Sequence, residues 1–243
     1  MAINLLKRKN KPIPECSAVI VAAGMSERMG GDKLKMELME KPVLAHTLAV
    51  FEDSPFVSEI IVVTREDELL NTAQLCADYN IHKAAAIVIG GESRRESSLI
   101  GVTAVKPGAK LIAVHDGARP LVTQEIIAAA VEGAAVHFAA VPCISVKDTV
   151  KVKDHEGFVK QSLVRGQLVA VQTPQVFEGD IIKAALTAAL NRPDNITDDC
   201  MAVEAMGIRP YIVNGSEENI KITTPIDLLT AQGILQKRRE ACE

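Results

Sequence analysis

Short β-branched runs alternate with stretches of helical spacing along most of the first 136 residues, and that rhythm constrains the fold more than any single motif. Ala18 to Ala23 is an unbroken apolar run, as expected of a strand buried on both faces. Val43, Leu44, Thr47, Leu48 and Phe51 then recur at helical spacing. The pattern repeats: a strand at Glu59–Thr64, a helix from Asp67 to Tyr79, a strand at Ala86–Ile89, a helix from about Ser93 to Val105. A fourth strand is expected at Lys110–Val114 and a helix from about Thr123 to Gly133. Such alternation implies right-handed βαβ crossovers and an α/β fold: a mostly parallel sheet flanked by helices.

The rhythm changes after Val136. Ala139–Cys143 reads as a further core strand. From Ser145 to about Gln172, β-prone pieces alternate with polar turns. Asp148–Lys153 and Phe158–Lys160 flank Asp154–Gly157, which predicts a hairpin, an arm at about 146–165. Its apolar residues are few and one-sided, so it needs a surface to pack on, and a second subunit is expected to supply it. Helices are expected at Gly179–Leu190 and after Thr197, strands at Tyr211–Val213 and Asn219–Ile222, and a last helix from Thr224 to about Lys237. Thr224, Pro225 and Asp227 form an N-cap with proline in the first turn and an acid at the positive helix end.

Composition removes several classes. With 27 Lys+Arg against 31 Asp+Glu, no Trp, two Tyr and five Phe, the chain lacks the basic field and stacking platforms of a nucleic-acid binder. Its longest apolar stretch, about Ala134 to Ile144, is interrupted by His137 and Pro142 and is too short to span a bilayer. Five scattered cysteines without C-x-x-C spacing argue against a disulfide framework and a zinc site, and fit reduced thiols in a cytoplasmic protein. Residues 1–16 carry Lys7, Arg8, Lys9 and Lys11 with no apolar run behind them, so they read as a loose basic tail rather than a signal peptide. Residues 17–243 are expected to form one domain.

The loops at strand ends carry the chemistry. Gly24–Gly31 matches neither the dinucleotide fingerprint nor a P-loop, and Ser26 has no nucleophile elbow. The first loop nevertheless combines glycine with Arg28, Lys33 and Lys35, and backbone N–H groups with cations suit phosphate oxygens. The third strand ends in Gly90-Gly91-Glu92-Ser93-Arg94, where paired glycines allow close backbone approach to a flat ligand. The fourth ends in His115-Asp116-Gly117-Ala118-Arg119-Pro120. In open α/β sheets, ligands bind at the carboxyl ends of strands.

These residues resemble a known family. Ala22-Ala23-Gly24 with Arg28-Met29 and Lys35, then Gly90-Gly91-Glu92 with Arg94 and Ser97, then His115 to Pro120 look like 2-C-methyl-D-erythritol 4-phosphate cytidylyltransferases. So do Lys147-Asp148-Thr149, Arg165, Thr173-Pro174-Gln175, Thr197-Asp198-Asp199 and Asn219-Ile220-Lys221, which extends the resemblance from about Ala18 to Leu235. The family has a Rossmann-like nucleotidyltransferase fold. It converts CTP and 2-C-methyl-D-erythritol 4-phosphate to 4-diphosphocytidyl-2-C-methyl-D-erythritol and pyrophosphate, in the non-mevalonate isoprenoid pathway.

By that resemblance Arg28 and Lys35 are the catalytic cations. Ala22, Ala23 and Gly24 line the nucleotide cleft, Gly91, Glu92 and Ser97 form the cytosine pocket, and Asp116 and Gly117 meet the ribose. Arg119 and Thr149 reach the methylerythritol across a homodimer, and Arg165, Thr173, Thr197 and Lys221 hold its phosphate. Two departures stand out. Glu92 replaces a common Asp, and Leu34-Lys35-Met36-Glu37-Leu38 lacks the Pro and Gln that flank the family's lysine. Alignment to Leu38 favours Lys35 over Lys33. Thr197 is also expected to cap the following helix.

The acceptor is itself a phosphate monoester, so no general base and no covalent intermediate is needed. Charge neutralisation and positioning carry the reaction. Mg²⁺ is expected on the triphosphate, without a dedicated protein cage. Two alternatives share these loops: a ribitol-5-phosphate cytidylyltransferase, and a CTP-binding protein without turnover.

Overall fold

The computed structural model describes residues 15–24, 32–190 and 196–241. In chain order the elements are β1 (Cys16–Val21), β2 (Glu37–Leu38), β3 (Lys41–Pro42), α1 (Val43–Glu52), β4 (Val57–Thr64), α2 (Leu69–Asp78), β5 (Ala84–Ile89), α3 (Arg94–Ala104), β6 (Leu111–Asp116) and α4 (Gln124–His137). They continue with β7 (Ala139–Ser145), β8 (Lys151–Lys153), β9 (Val159–Ser162), β10 (Val169–Val171), β11 (Gln175–Glu178), α5 (Gly179–Leu190), α6 (Asp199–Glu204), β12 (Tyr211–Asn214) and α7 (Pro225–Glu240).

An eight-stranded sheet runs β10-β7-β11-β6-β1-β4-β5, with β12 also paired to β7. The expected parallel core is β6-β1-β4-β5. Alternate side chains of each central strand serve opposite faces. Ala18 and Ile20 join Leu48, Phe51, Ile127 and Ala231 in one cluster, beneath α1, α4 and α7. Val19, Ile61, Val63 and Val114 join Val102, Ile182 and Leu186 in another, beneath α3 and α5. Burial of both faces explains why these strands read as continuous apolar runs.

Three expectations are corrected. β1 already begins at Cys16, which pairs with Leu111 and Val57, inside the segment assigned to the tail. Asn219–Ile222 is not a strand. Its backbone is bonded to the loop after β6 instead, where Ile222 N–H donates to Ala118 O at 2.8 Å. Between β6 and β7 lies β11, antiparallel to both and unforeseen in the sequence.

The hairpin is present as β8 and β9, a separate two-stranded unit. The Asp154 carboxylate closes its turn by accepting Glu156 N–H and Phe158 N–H at 3.0 and 2.9 Å, and Gly157 adopts φ +95°. Phe158 and Val159 are exposed on it. The first 14 residues of the basic tail and Arg28 lie outside the described residues.

Candidate active site

Four parallel strands release their loops at one edge of the sheet, and a cleft of about 640 Å³ opens there. Its walls come from Val21–Gly24 after β1, Arg65 and Glu66 after β4, Ile89–Arg94 after β5, and Asp116 and Ala118 after β6. The chain leaves β1 to build β4 and β5 on one side, then returns to place β6 on the other. Such a reversal is where open α/β sheets leave a crevice for ligands.

The Gly90–Gly91 turn is set by close packing. A Cβ on Gly90 would lie 2.6 Å from the Ala23 Cβ and 2.7 Å from the Ser97 Oγ. Gly91 N–H donates to Ser97 Oγ at 3.1 Å, and Glu92 N–H donates to the Glu96 carboxylate at 2.9 Å. Ser97 is buried and spends its hydroxyl on the backbone of this turn. The Ser93 hydroxyl accepts Glu96 N–H and caps α3, so the positive end of that helix opens on the cleft.

Asp116 ends β6 as the electrostatic centre of the opposite wall. Lys221 Nζ lies 3.0 Å from Oδ2, Arg119 Nε 3.4 Å from Oδ2, and Arg94 Nη2 3.5 Å from Oδ1. Burial alone would raise the carboxyl's pKa. Lys221, Arg94 and Arg119 outweigh burial and hold it well below the usual carboxylate range. Arg94 also pairs with Asp199 at 2.9 Å, so α3 and α6 meet at the same cation.

The segment carrying Lys221 is strapped down by amides. Asn219 is buried and donates to Thr173 O at 3.0 Å and to Gln172 Oε1 at 3.2 Å. Gln172 Nε2 donates to Ser216 O at 2.7 Å, and Arg119 Nη1 donates to Asn219 O at 2.8 Å.

The structure brings Ala22, Ala23, Gly24, Gly91, Glu92, Ser97, Asp116 and Lys221 to one cleft. Gly117 is buried just behind it, where its N–H donates to Val21 O at 2.9 Å and its carbonyl accepts the Thr47 hydroxyl at 2.8 Å. Thr173 is buried, and its hydroxyl is committed to Asp116 N–H and His115 rather than open to a phosphate. Thr197 is exposed, and the residue that caps α6 is Asp198, whose carboxylate accepts Met201 N–H at 2.9 Å. The Thr197 hydroxyl stands one residue too early and turns to Met201 Sδ. Thr149 and Arg165 are exposed on the arm, away from the cleft, where Arg165 Nη1 donates to Lys147 O at 3.1 Å.

Lys35 does not line the cleft. Its Nζ pairs with Glu68 at 2.6 Å beside an adjoining 330 Å³ pocket, whereas Lys33 lines the cleft itself. Arg65 carries no motif in the sequence, and Arg94 enters there only as part of the Gly90–Ser97 resemblance. Arg94 stands directly after the helix-capping Ser93, a position that aims a first-turn residue at a strand-end cleft.

The chain matches the profile of the 2-C-methyl-D-erythritol 4-phosphate cytidylyltransferase family over residues 16–237. It is 45% identical over 223 residues to a protein of that name from Dehalococcoides mccartyi, covering 91% of this chain and 96% of the relative. To one from Halalkalibacterium halodurans it is 43% identical over 226 residues, covering 92% and 98%. The solved structure of 4-diphosphocytidyl-2C-methyl-D-erythritol synthase from Anaerococcus prevotii superposes with a TM-score of 0.82 at 29% identity, covering 93% of this chain and all of that one. On this match, its strand-end cleft and its fold, the chain belongs to the 2-C-methyl-D-erythritol 4-phosphate cytidylyltransferase family.

Proposed function

We infer that the chain transfers CMP from CTP to 2-C-methyl-D-erythritol 4-phosphate, releasing pyrophosphate, in isoprenoid biosynthesis. The observation that carries the reading is the convergence of four strand-end loops on one cleft in a chain of this family. An oxygen of the acceptor phosphate attacks the α-phosphorus of CTP, and the bond to the β-phosphate breaks. The acceptor's second pKa is about 6, so it arrives largely dianionic and needs no base. Bringing two polyanions together is the obstacle, and cations aimed at the developing charge remove it.

Gly91, Glu92 and Ser97 shape the cytosine pocket, largely through backbone groups. Asp116 takes the ribose side. Lys35 keeps its proposed role at the triphosphate, with its Nζ paired to Glu68 in this structure, and Lys33 lines the cleft beside it. Arg28 keeps its proposed place beside the phosphates, outside the described residues. Lys221, with Arg119 and Arg94 around the same carboxylate, supplies the positive wall toward the acceptor. Gly117 and Thr173 shape and hold the Asp116 corner instead of touching ligand.

No three His, Cys, Asp or Glu side chains are grouped to hold a metal among the described residues. Asp116 is one carboxylate on the cleft wall, already shared by three cations, so the donor set fits Mg²⁺ carried mainly by the CTP phosphates. When bound, that ion would neutralise phosphate charge.

Thr149, Arg165 and Thr197 stand apart from the cleft, so their proposed acceptor contacts need a second copy. We place them in a homodimer whose exposed arm, with Phe158 and Val159, packs on the neighbour. Light scattering at micromolar concentration should report a dimer, and a fully active monomer would remove this part. Among the described residues no helix is long and apolar enough to cross a membrane. Cys16, Cys76, Cys143 and Cys200 are free thiols, and burial pushes Cys16 up to about 12 and Cys76 and Cys143 up to about 11. Buried, unpaired thiols among the described residues suit the reducing cytoplasm we propose for this enzyme.

The test is pyrophosphate release with CTP and Mg²⁺, comparing 2-C-methyl-D-erythritol 4-phosphate with D-ribitol 5-phosphate. Strong preference for the first is expected. Preference for ribitol phosphate would reassign the acceptor, and CTP binding without release from either would leave a binding protein.

A further inference from the structure

The segment Thr173-Pro174-Gln175 holds the Asp116 corner from two directions. On one side the Thr173 hydroxyl accepts Asp116 N–H at 3.1 Å and fixes that residue's backbone. On the other side the buried Gln175 side chain reaches α6, where its Nε2 donates to Asp198 Oδ2 at 3.0 Å and its Oε1 accepts Cys200 N–H at 2.9 Å. One amide thus grips the residues before and after Asp199. The Asp199 carboxylate is buried, and its Oδ2 lies 2.9 Å from Arg94 Nη2. The same Arg94 nitrogen lies 3.5 Å from Asp116 Oδ1. The circuit closes there: the segment that bonds the Asp116 main chain also sets, through α6 and Arg94, the cation beside its carboxylate.

Asp199 differs from an ordinary helix-end acid. A first-turn carboxylate gains from the positive helix end while still in water. This one is buried, and among the described residues neither of its oxygens accepts a hydrogen bond of ordinary geometry. Its charge is answered by Arg94. Burial works against the charge on Arg94, and Asp199, with Asp116 and Asp198, outweighs it and keeps the guanidinium protonated. A buried ion pair is a costly route to stability, and an apolar pair of similar volume often serves as well. What the pair supplies here is position, because Arg94 and Asp116 both line the cleft. A planar guanidinium shared between two carboxylates has one seat, and without Asp199 it would turn wholly onto Asp116. We propose that Asp199 and Gln175 are positioning residues for cytidylyl transfer: Gln175 sets Asp199, Asp199 seats Arg94, and Arg94 keeps the Asp116 carboxylate in the orientation that transfer requires. The proposal rests on reading the cleft as the CTP site.

The test uses the full chain with Asp199→Asn, Gln175→Leu, Arg94→Gln, and the double change of Arg94→Gln with Asp199→Asn. Two readouts are taken. One is steady-state pyrophosphate release with CTP and 2-C-methyl-D-erythritol 4-phosphate. The other, without ligand, is the exchange with water of the Arg94 Nε proton, followed by NMR and assigned by its loss in Arg94→Gln. Asp199→Asn should lower kcat by about tenfold with a much smaller change in the KM for CTP, because a small misplacement of a group at the reacting centre costs rate first. Gln175→Leu should act in the same direction to a lesser degree. It leaves the buried ion pair in place, so it carries the test if Asp199→Asn does not fold. Exchange of the Arg94 proton should quicken in both. In the Arg94→Gln background, Asp199→Asn should cost less than about twofold, since a residue that acts through another loses its effect when that other is gone. A fully additive cost, unchanged Arg94 exchange, or a loss confined to KM would each overturn the proposal. Absence of turnover in the unaltered chain would instead overturn the reading of the cleft, and the exchange readout would still decide whether Gln175 and Asp199 seat Arg94.

Discussion

Thr173 places its hydroxyl 3.0 Å from Nδ1 of His115, while Nε2 on the other side of the ring faces the Arg119 carbonyl, which can only accept. The neutral ring therefore takes the Thr173 hydrogen at Nδ1, and the hydroxyl oxygen accepts Asp116 N–H at 3.1 Å. The proton of the neutral ring then sits on Nε2 and donates to Arg119 O at 3.2 Å. His115 is wholly buried against Phe51, with ring centroids 4.8 Å apart. One imidazole thus braces both sides of the Asp116 corner.

Acidification should unlock that brace. Burial pushes the pKa of His115 down to about 4, with Asp116 opposing the shift, while the unfolded chain titrates near 6.5. Between those values the unfolded state binds a proton that the folded state refuses. Stability is therefore flat above about 6.5, falls as pH drops toward 4, and stops falling from this source below that, by on the order of 3 kcal/mol in all. Urea midpoints from pH 7.5 to 4.5 should show the slope in the unaltered chain and lose most of it in His115→Gln. Parallel profiles would remove His115 as the titrating group.

Asp116→Asn should cost both fold and rate. Three cations would be left around a neutral amide in a buried corner, which is expected to lower stability by about 3 kcal/mol. Release of pyrophosphate should drop on the order of a hundredfold as the positive wall rearranges. Thermal midpoint and steady-state kinetics measured on one preparation check the two effects, and a normal kcat would take Asp116 out of the machinery.

The two lysines of the first turn should separate cleanly. Lys35→Ala is expected to lower kcat about a hundredfold, the cost of one transition-state contact. Lys33→Ala, at the lysine that lines the cleft beside it, should cost less than about tenfold. The reverse order would make Lys33 the catalytic cation.

Gly90→Ala probes the close approach of β1, β5 and α3. The added methyl would press on Ala23 and Ser97, both on the cleft wall, and should destabilise the chain by about 2 kcal/mol. Calorimetric titration should show weaker CTP binding. Unaltered affinity would mean that the turn can give way without disturbing the nucleotide.

Much of the fold was legible because its cause is local. The apolar run at Ala18–Ala23 and the spacing of Val43, Leu44, Leu48 and Phe51 each state their own burial. β11 was hidden because Gln175–Glu178 is four residues long and its partners, β6 and β7, are distant in sequence. Asn219–Ile222 alternates like a strand, yet its backbone bonds the Ala118 loop and Arg119 instead of a ladder. The site was legible as a set of loops. Side-chain direction was not: Glu68 draws Lys35 aside, His115 occupies Thr173, and Met201 draws in Thr197, all through contacts that spacing alone does not reveal.

The reversed direction of β11 has a consequence for how such a protein changes over time. A parallel neighbour of β6 would bring its last residue to the ligand edge. β11 brings the residues that precede it, so Thr173 meets Asp116 on entry to the strand, in register with Gln175 opposite Val114. On the proposed reading, the nucleotide rim is built from strand exits and the acceptor rim from a strand entrance and the strap behind it. The two rims belong to separate stretches of chain joined at one carboxylate. Acceptor preference can drift in residues 172–175 and 215–223 while the nucleotide loops stay as they are, and Asp116 is the hinge on which both must continue to agree.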